Sequence, residues 1–128
     1  MIGRIILPVA AGLLLAAGAA HAEGDPVAGE DVFKKCKVCH MVGDGAKNRV
    51  GPMLNDVFGR QAGALDGYRY SSAMQKAGED GLVWSEEAMM EYLEKPRDVV
   101  KGTKMAFPGL KKEQDRADVI SYLKQFTN

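Results

Sequence analysis

The sequence has few of the residues from which catalytic and metal centres are usually assembled: two cysteines, two histidines and one tryptophan among 128 residues. It has no excess charge of either sign, since 17 basic side chains stand against 17 acidic ones. Without a strong overall field, nucleic acid is not an expected partner. No apolar run reaches the roughly 20 residues that a membrane-spanning helix needs. The candidate run, Ile5 to Ala20, falls short and contains Pro8. Runs of β-branched residues are almost absent, which argues against a sheet and against the βαβ setting of a thioredoxin-like C-x-x-C. Internal repeats, low-complexity segments and linkers are also missing, so the chain reads as one α-helical domain.

What the N-terminus does have is the pattern of an export leader. Arg4 supplies a positive start, Ile5 to Ala20 is rich in leucine and alanine, and Ala20-His21-Ala22 fits a small-x-small cleavage site. Residues 1–22 are therefore expected to be a signal peptide cleaved after Ala22, with 23–128 as the domain and the periplasm as its location. The rival reading is an uncleaved N-terminal membrane anchor. Cleavage removes His21 and leaves His40 as the one histidine.

Two cysteines in an exported chain would ordinarily suggest a disulfide. Their spacing suggests otherwise, because Cys36-Lys37-Val38-Cys39-His40 is C-x-x-C-H, the signature of covalent c-type haem attachment. Cysteines three apart on a helical turn share a face, so both thiols can reach the vinyl groups of one haem while the next residue offers an imidazole to iron. A zinc site would need a fourth ligand beyond two cysteines and one histidine.

The rest of the chain suits such a site. Asp25 is a plausible N-cap with Pro26 at the first helical position, and Gly29, Val32, Phe33 and Cys36 follow at helical spacing. Val119, Tyr122, Leu123 and Phe126 repeat that spacing near the other end, with Glu113, Asp115, Arg116, Asp118 and Lys124 on the remaining surface. These terminal helices are expected to pack, with Gly29 allowing a close crossing by Tyr122 or a neighbour. A third helix is expected from Ser85 to Lys95, capped by Ser85, carrying Met89, Tyr92 and Leu93 as its apolar stripe and stopped by Pro96. The glycine-rich stretches 43–52 and 59–67 cannot be long regular elements.

With His40 on one side of an iron, the sixth position falls to methionine, lysine, water or nothing. Met41 adjoins His40, Met89 and Met90 read as core, and Met53 and Met74 lack a distinctive frame. Met105 sits in Gly102-Thr103-Lys104-Met105-Ala106-Phe107-Pro108-Gly109, an irregular loop well separated from His40, and is the best candidate.

The segments GEDVFKKCKVCH, VGPMLNDVFGR, GYRYSSA, MMEYLEKPRDVVKGTKMAFPGL and DVISYLKQF, in that order, resemble class I c-type cytochromes. They are especially similar to the mitochondrial-like subgroup of bacterial periplasmic electron carriers. The resemblance implies the cytochrome c fold, with terminal helices crossing each other and short helices and loops wrapping one covalently bound haem c. It implies thioether bonds from Cys36 and Cys39 and axial ligation by His40 and Met105. It further implies that the Pro52 carbonyl accepts a hydrogen bond from the imidazole, that the Tyr92 hydroxyl approaches the methionine sulfur, and that Arg60, Tyr70, Trp84 and Thr103 surround the haem propionates. Three departures from the family pattern stand out: Met74 in place of a pocket asparagine, extra residues between Gln75 and Val83, and Lys101 in place of a proline before Gly102.

The implied function is one-electron transport by a non-enzyme. The implied partners are redox proteins such as a cytochrome bc complex and a terminal oxidase or photosynthetic reaction centre, met transiently at the haem edge by a monomer. The alternative functions are a haem peroxidase or gas-binding sensor with a displaceable Met105, and a thiol-redox protein with free cysteines. Lys34, Lys35, Lys37, Lys47, Arg97, Lys101, Lys104, Lys111 and Lys112 lie near the haem motif or the Met105 loop, while acids gather in 79–94 and 113–118. A basic rim on a near-neutral chain is the expectation.

Overall fold

In the computed structural model, the described residues are 23–128 together with Gly3, Pro8 and Gly12. The expected leader thus lies outside the described residues but for those three positions. Five helices follow in order: α1 (Pro26–Phe33), α2 (Ser72–Glu79), α3 (Glu86–Glu94), α4 (Pro96–Val99) and α5 (Glu113–Lys124). No strand occurs among the described residues, and one isolated antiparallel bridge joins Gln61 to Val83.

Local chemistry sets the helix ends. The Asp25 carboxylate accepts from the Val27 backbone N–H at 2.9 Å, and Pro26 supplies a preset φ at the first helical position. Ser85 caps α3 by accepting from the Ala88 N–H at 3.0 Å, with Glu86 and Glu87 at the positive end of the helix dipole. Pro96 ends α3 as expected and also opens the short α4. Helix α1 is shorter than the spacing predicts. It stops at Phe33, and tighter turns carry the chain on through Cys36 N–H to Phe33 O (2.7 Å) and Cys39 N–H to Cys36 O (3.1 Å).

Helix α1 crosses α5, and α3 packs against both α5 and α4. A Cβ built on Gly29 would stand 1.9 Å from the Asp118 carbonyl oxygen and 2.8 Å from Tyr122 Cβ, so only glycine allows the two backbones this close. Phe33, Val119, Tyr122 and Leu123 are buried around the crossing, and the Phe33 and Tyr122 rings lie 5.3 Å apart. Met89, Tyr92 and Leu93 of α3 complete this side of the core.

Two residues expected on the surface of α5 are buried, Arg116 and Asp118. Each has found a distant or irregular partner. The Asp118 carboxylate accepts from the Asp25 backbone N–H and from Gln114 Nε2, both at 2.8 Å, tying the start of α1 to α5. Arg116 donates to the carbonyls of Leu110 (2.8 Å) and Lys111 (3.2 Å), bracing the chain that enters α5. Asp118→Ala leaves a part-buried N–H without its acceptor and is expected to cost about 1–3 kcal/mol, measured as a lower midpoint in denaturant. Asp118→Asn, which keeps an acceptor oxygen, is expected to recover most of the loss.

Helix α2 is a further element that the glycine-rich flanks concealed. Ser71 caps it by accepting from the Met74 N–H at 3.0 Å, and Gly78 meets the Ala62 carbonyl, 1.8 Å from where a Cβ would be. The extra residues between Gln75 and Val83 therefore continue a helix and return to pair with the 59–62 segment, through Ala62 N–H to Leu82 O and Gly59 N–H to Trp84 O, both 2.9 Å.

Candidate functional site

A cavity of about 430 Å³ opens between α1, the loops and α3, within the range typical of cofactor pockets. All ten site residues singled out in the sequence line it: Cys36, Cys39, His40, Pro52, Arg60, Tyr70, Trp84, Tyr92, Thr103 and Met105. Much of the remaining wall is apolar, including Phe33, Leu54, Val57, Leu93, Val119 and Leu123.

The turns after α1 deliver the two cysteines and His40 to this wall. Both cysteines are free and half-buried. Burial pushes the Cys36 thiol up to about 11, with Cys39 beside it adding to the shift, so Cys36 is protonated at neutral pH. His40 Nδ1 lies 2.7 Å from the Pro52 carbonyl oxygen. A carbonyl can only accept, so Nδ1 carries the proton and the Nε2 lone pair is available for a metal. Burial pulls the imidazole below its ordinary range and so favours the neutral, ligating form, against the Pro52 bond, which raises it. Gly51 lets the ring lie against the chain, since a Cβ there would stand 2.5 Å from His40 Cε1.

The loop that carries Met105 follows α4. Tyr92 O–H lies 3.1 Å from Thr103 Oγ1 and donates to Met105 Sδ at 3.5 Å, while the Met105 N–H donates to Thr103 Oγ1 at 3.3 Å. Thr103 is thus joined to Tyr92 and the methionine backbone. Burial raises the Tyr92 phenol above its usual range, against the lowering effect of the Thr103 bond, so it stays a donor. The Trp84 ring is buried with its centroid 4.9 Å from that of Tyr92. Arg60 donates to the carbonyls of Met53 (3.3 Å) and Asn55 (2.6 Å), and the Tyr70 hydroxyl accepts from the Leu65 N–H at 3.3 Å.

Three methionines line the cavity, Met74 and Met89 along with Met105. Met74 and Met89 are buried, whereas Met105 sits half-buried on a loop with Tyr92 aimed at its sulfur. Nothing in the spacing of α2 marked Met74, because the helix itself was not apparent. Phe107 lines the cavity and packs on the core.

Of the nine basic residues named for a rim, two reach the cavity wall itself. Lys35 and Lys104 line the cavity, with the exposed Val38 (72 %) and Val50 (70 %) beside them. Lys34 pairs with Asp31 at 2.9 Å, and Lys111 lies in a separate hollow of mixed sign with Lys95, Glu91, Glu94 and Asp98.

Two thiols, an imidazole with a free Nε2 lone pair and a thioether on one largely apolar cavity fit a covalently held haem, a donor set of the soft and intermediate kind that binds iron. Among the described residues no cluster of three or more His, Cys, Asp or Glu offers a competing metal site.

Comparison with known proteins agrees. Cytochrome c2 of Afifella marina is 56 % identical over 104 residues, covering 80 % of this chain and 84 % of that protein. Cytochrome c2 of Rhodomicrobium vannielii is 54 % identical over 110 residues, 86 % of each chain. The structure of cytochrome c2 from Rhodospirillum centenum superposes with a TM-score of 0.79 at 45 % identity, over 82 % of this chain and all of that one. The family model described as cytochrome c matches residues 26–127, and with this match the chain belongs to the cytochrome c family.

Proposed function

We propose that the protein is an exported, periplasmic one-electron carrier that holds haem c covalently through Cys36 and Cys39 and ligates its iron with His40 and Met105. The observation that carries this reading is the convergence of C-x-x-C-H and a hydrogen-bonded methionine on one apolar cavity. When bound, the haem supplies a ferric/ferrous couple. Every other requirement of a carrier falls to the chain.

Pro52 fixes the tautomer and orientation of His40 and raises its basicity. Tyr92 and Thr103 orient the Met105 thioether. As a neutral, soft donor, Met105 favours the ferrous state, and the apolar walls penalise the extra ferric charge, so these residues raise the potential. With His40 and Met105 both given to the iron, no position would remain open for a substrate, which is why we read the protein as a carrier and not an enzyme. The half-buried Arg60 and the Tyr70 hydroxyl, both on the cavity wall, serve as partners for haem propionates in this reading.

Residues 1–22 serve as the leader, cleaved after Ala22. The carrier meets its redox partners, a cytochrome bc complex and a terminal oxidase or photosynthetic reaction centre, as a monomer. Docking uses the exposed Val38 and Val50 with Lys35 and Lys104 around them, a small apolar contact with a cationic border. The second-order rate of electron transfer to an acidic redox partner is expected to fall severalfold as salt rises from about 0.01 M to 0.15 M, where the screening length drops from roughly 30 to 8 Å. A rate indifferent to salt would remove the docking assignment. The carrier reading is tested by cycling the purified protein between ferric and ferrous forms: reversible one-electron behaviour with denaturation-resistant haem attachment supports it, and a chain without haem overturns it.

A further inference from the structure

We propose that Asp56 is a positioning residue that clamps the part of the chain bearing His40, an inference that rests on the assignment of His40 as an iron ligand. Residues 39–43 and 51–55 are joined at successive steps. The Gly51 N–H donates to Cys39 O (2.9 Å), His40 Nδ1 to Pro52 O (2.7 Å) and the Leu54 N–H to Met41 O (3.1 Å). The Asn55 side chain adds a reciprocal pair with Gly43, accepting from its N–H at 2.8 Å and donating to its carbonyl at 3.0 Å. The pairing starts at Cys39, just after the turns that follow α1, and reaches the surface at the exposed Asp56.

There the segment after α5 closes it. The Asp56 N–H donates to the Phe126 carbonyl at 2.9 Å, and the Asp56 carboxylate accepts from the Asn128 backbone N–H at 2.7 Å and from Asn128 Nδ2 at 3.3 Å. Phe126 also meets the other strip of chain, its ring lying 3.7 Å from where a Cβ on Gly43 would be. It packs edge-on against Tyr122 at 5.1 Å, and Tyr122 meets Phe33, so the closing segment is anchored on the packed α1 and α5 pair. Asp56 is the one non-glycine residue with a left-handed backbone among the described residues, at φ 56°. Glycine adopts that conformation more readily than aspartate. What aspartate adds is a carboxylate for the two Asn128 donors. Asp56 does not line the cavity, and it acts on His40 through Asn55, Leu54 and Pro52.

The test is hydrogen exchange of backbone and ring N–H groups, followed by NMR in the reduced holoprotein. Asp56→Gly removes the carboxylate and relieves the left-handed backbone, so a residue that merely filled a turn would leave exchange unchanged or slower. The clamp predicts the opposite: the Gly43 and Leu54 N–H groups and the His40 Nδ1–H exchange about three- to tenfold faster. The Met89 and Leu110 N–H groups, bonded to Ser85 O and Leu93 O away from the clamp, keep the wild-type rate. Asp56→Asn, which retains an acceptor oxygen and tolerates the same backbone, returns all three groups to near the wild-type rate. Asn128→Ala keeps the backbone donor and gives a smaller increase, and it adds nothing further to Asp56→Gly. Wild-type or slower exchange at the three groups in Asp56→Gly would overturn the clamp. Equal acceleration at Met89 and Leu110, or no recovery in Asp56→Asn, would do the same. His40 ring protons lacking the strong upfield shift of an imidazole held over a haem would overturn the ligand assignment first, which keeps the two failures apart.

Discussion

Met105→Ala is expected to lose the far-red absorption of the ferric protein, to bind carbon monoxide once reduced, and to drop in potential by roughly 0.2 V, a fraction of the roughly 0.8 V that axial ligands span. The size of the effect follows from how little else the chain offers. His40 is the one histidine of residues 23–128. Met74 and Met89 line the cavity, but their side chains are buried in α2 and α3, and Tyr92 donates to Met105. With Met105 gone, the sixth position is left to water or to an added ligand, both of which favour the ferric state more than a thioether does. The potential is read by redox titration and the ligand by the far-red band. A variant that keeps the band would mean that Met74 or Met89 holds the iron.

Gly29→Ala is the second large effect, and its sign is the informative part. In an ordinary helix interior this change stabilises by up to about 1 kcal/mol. Here the new Cβ lands 1.9 Å from the Asp118 carbonyl oxygen, a backbone atom of a packed helix that cannot swing aside. Helices α1 and α5 must separate, which disturbs the Phe33 and Tyr122 contact and the Asp118 bond to Asp25. A loss of roughly 3 kcal/mol is expected, overpacking at its upper range, and it lowers the melting temperature by some 10–20 °C for a domain of this size. Thermal unfolding of the holoprotein checks it, and a raised midpoint would contradict the close crossing. Because α1 leads into the turn bearing Cys36 and Cys39, the same variant is expected to attach less haem.

The elements visible in the sequence are those whose cause is local. Asp25-Pro26, Ser85 with its following glutamates, and the C-x-x-C-H turn each carry their instruction within a few residues, and Gly29 announced a close approach by its cost to the helix. Less legible were the features decided across the chain. Arg116 and Asp118 read as surface charges on α5 because their acceptors and donors, the Leu110 carbonyl and the Asp25 N–H, are set by tertiary packing. Helix α2 was hidden because eight residues ending near Gly78 have weak intrinsic preference for a helix. The stability of α2 comes from Met74 in the core and from Gly78 against Ala62. In the site, the ten residues found by motif and resemblance share one cavity, while the Asp56 and Asn128 contact depends on two distant segments meeting and left no periodic trace.

The most direct test of a closed, two-ligand carrier is to add carbon monoxide to the reduced wild-type protein at neutral pH and follow the main haem absorption band. Occupancy of both axial positions by His40 and Met105 predicts no shift over the time in which Met105→Ala converts fully. Prompt conversion of the wild type would contradict it and favour a gas-binding or peroxidase-like protein with a displaceable Met105.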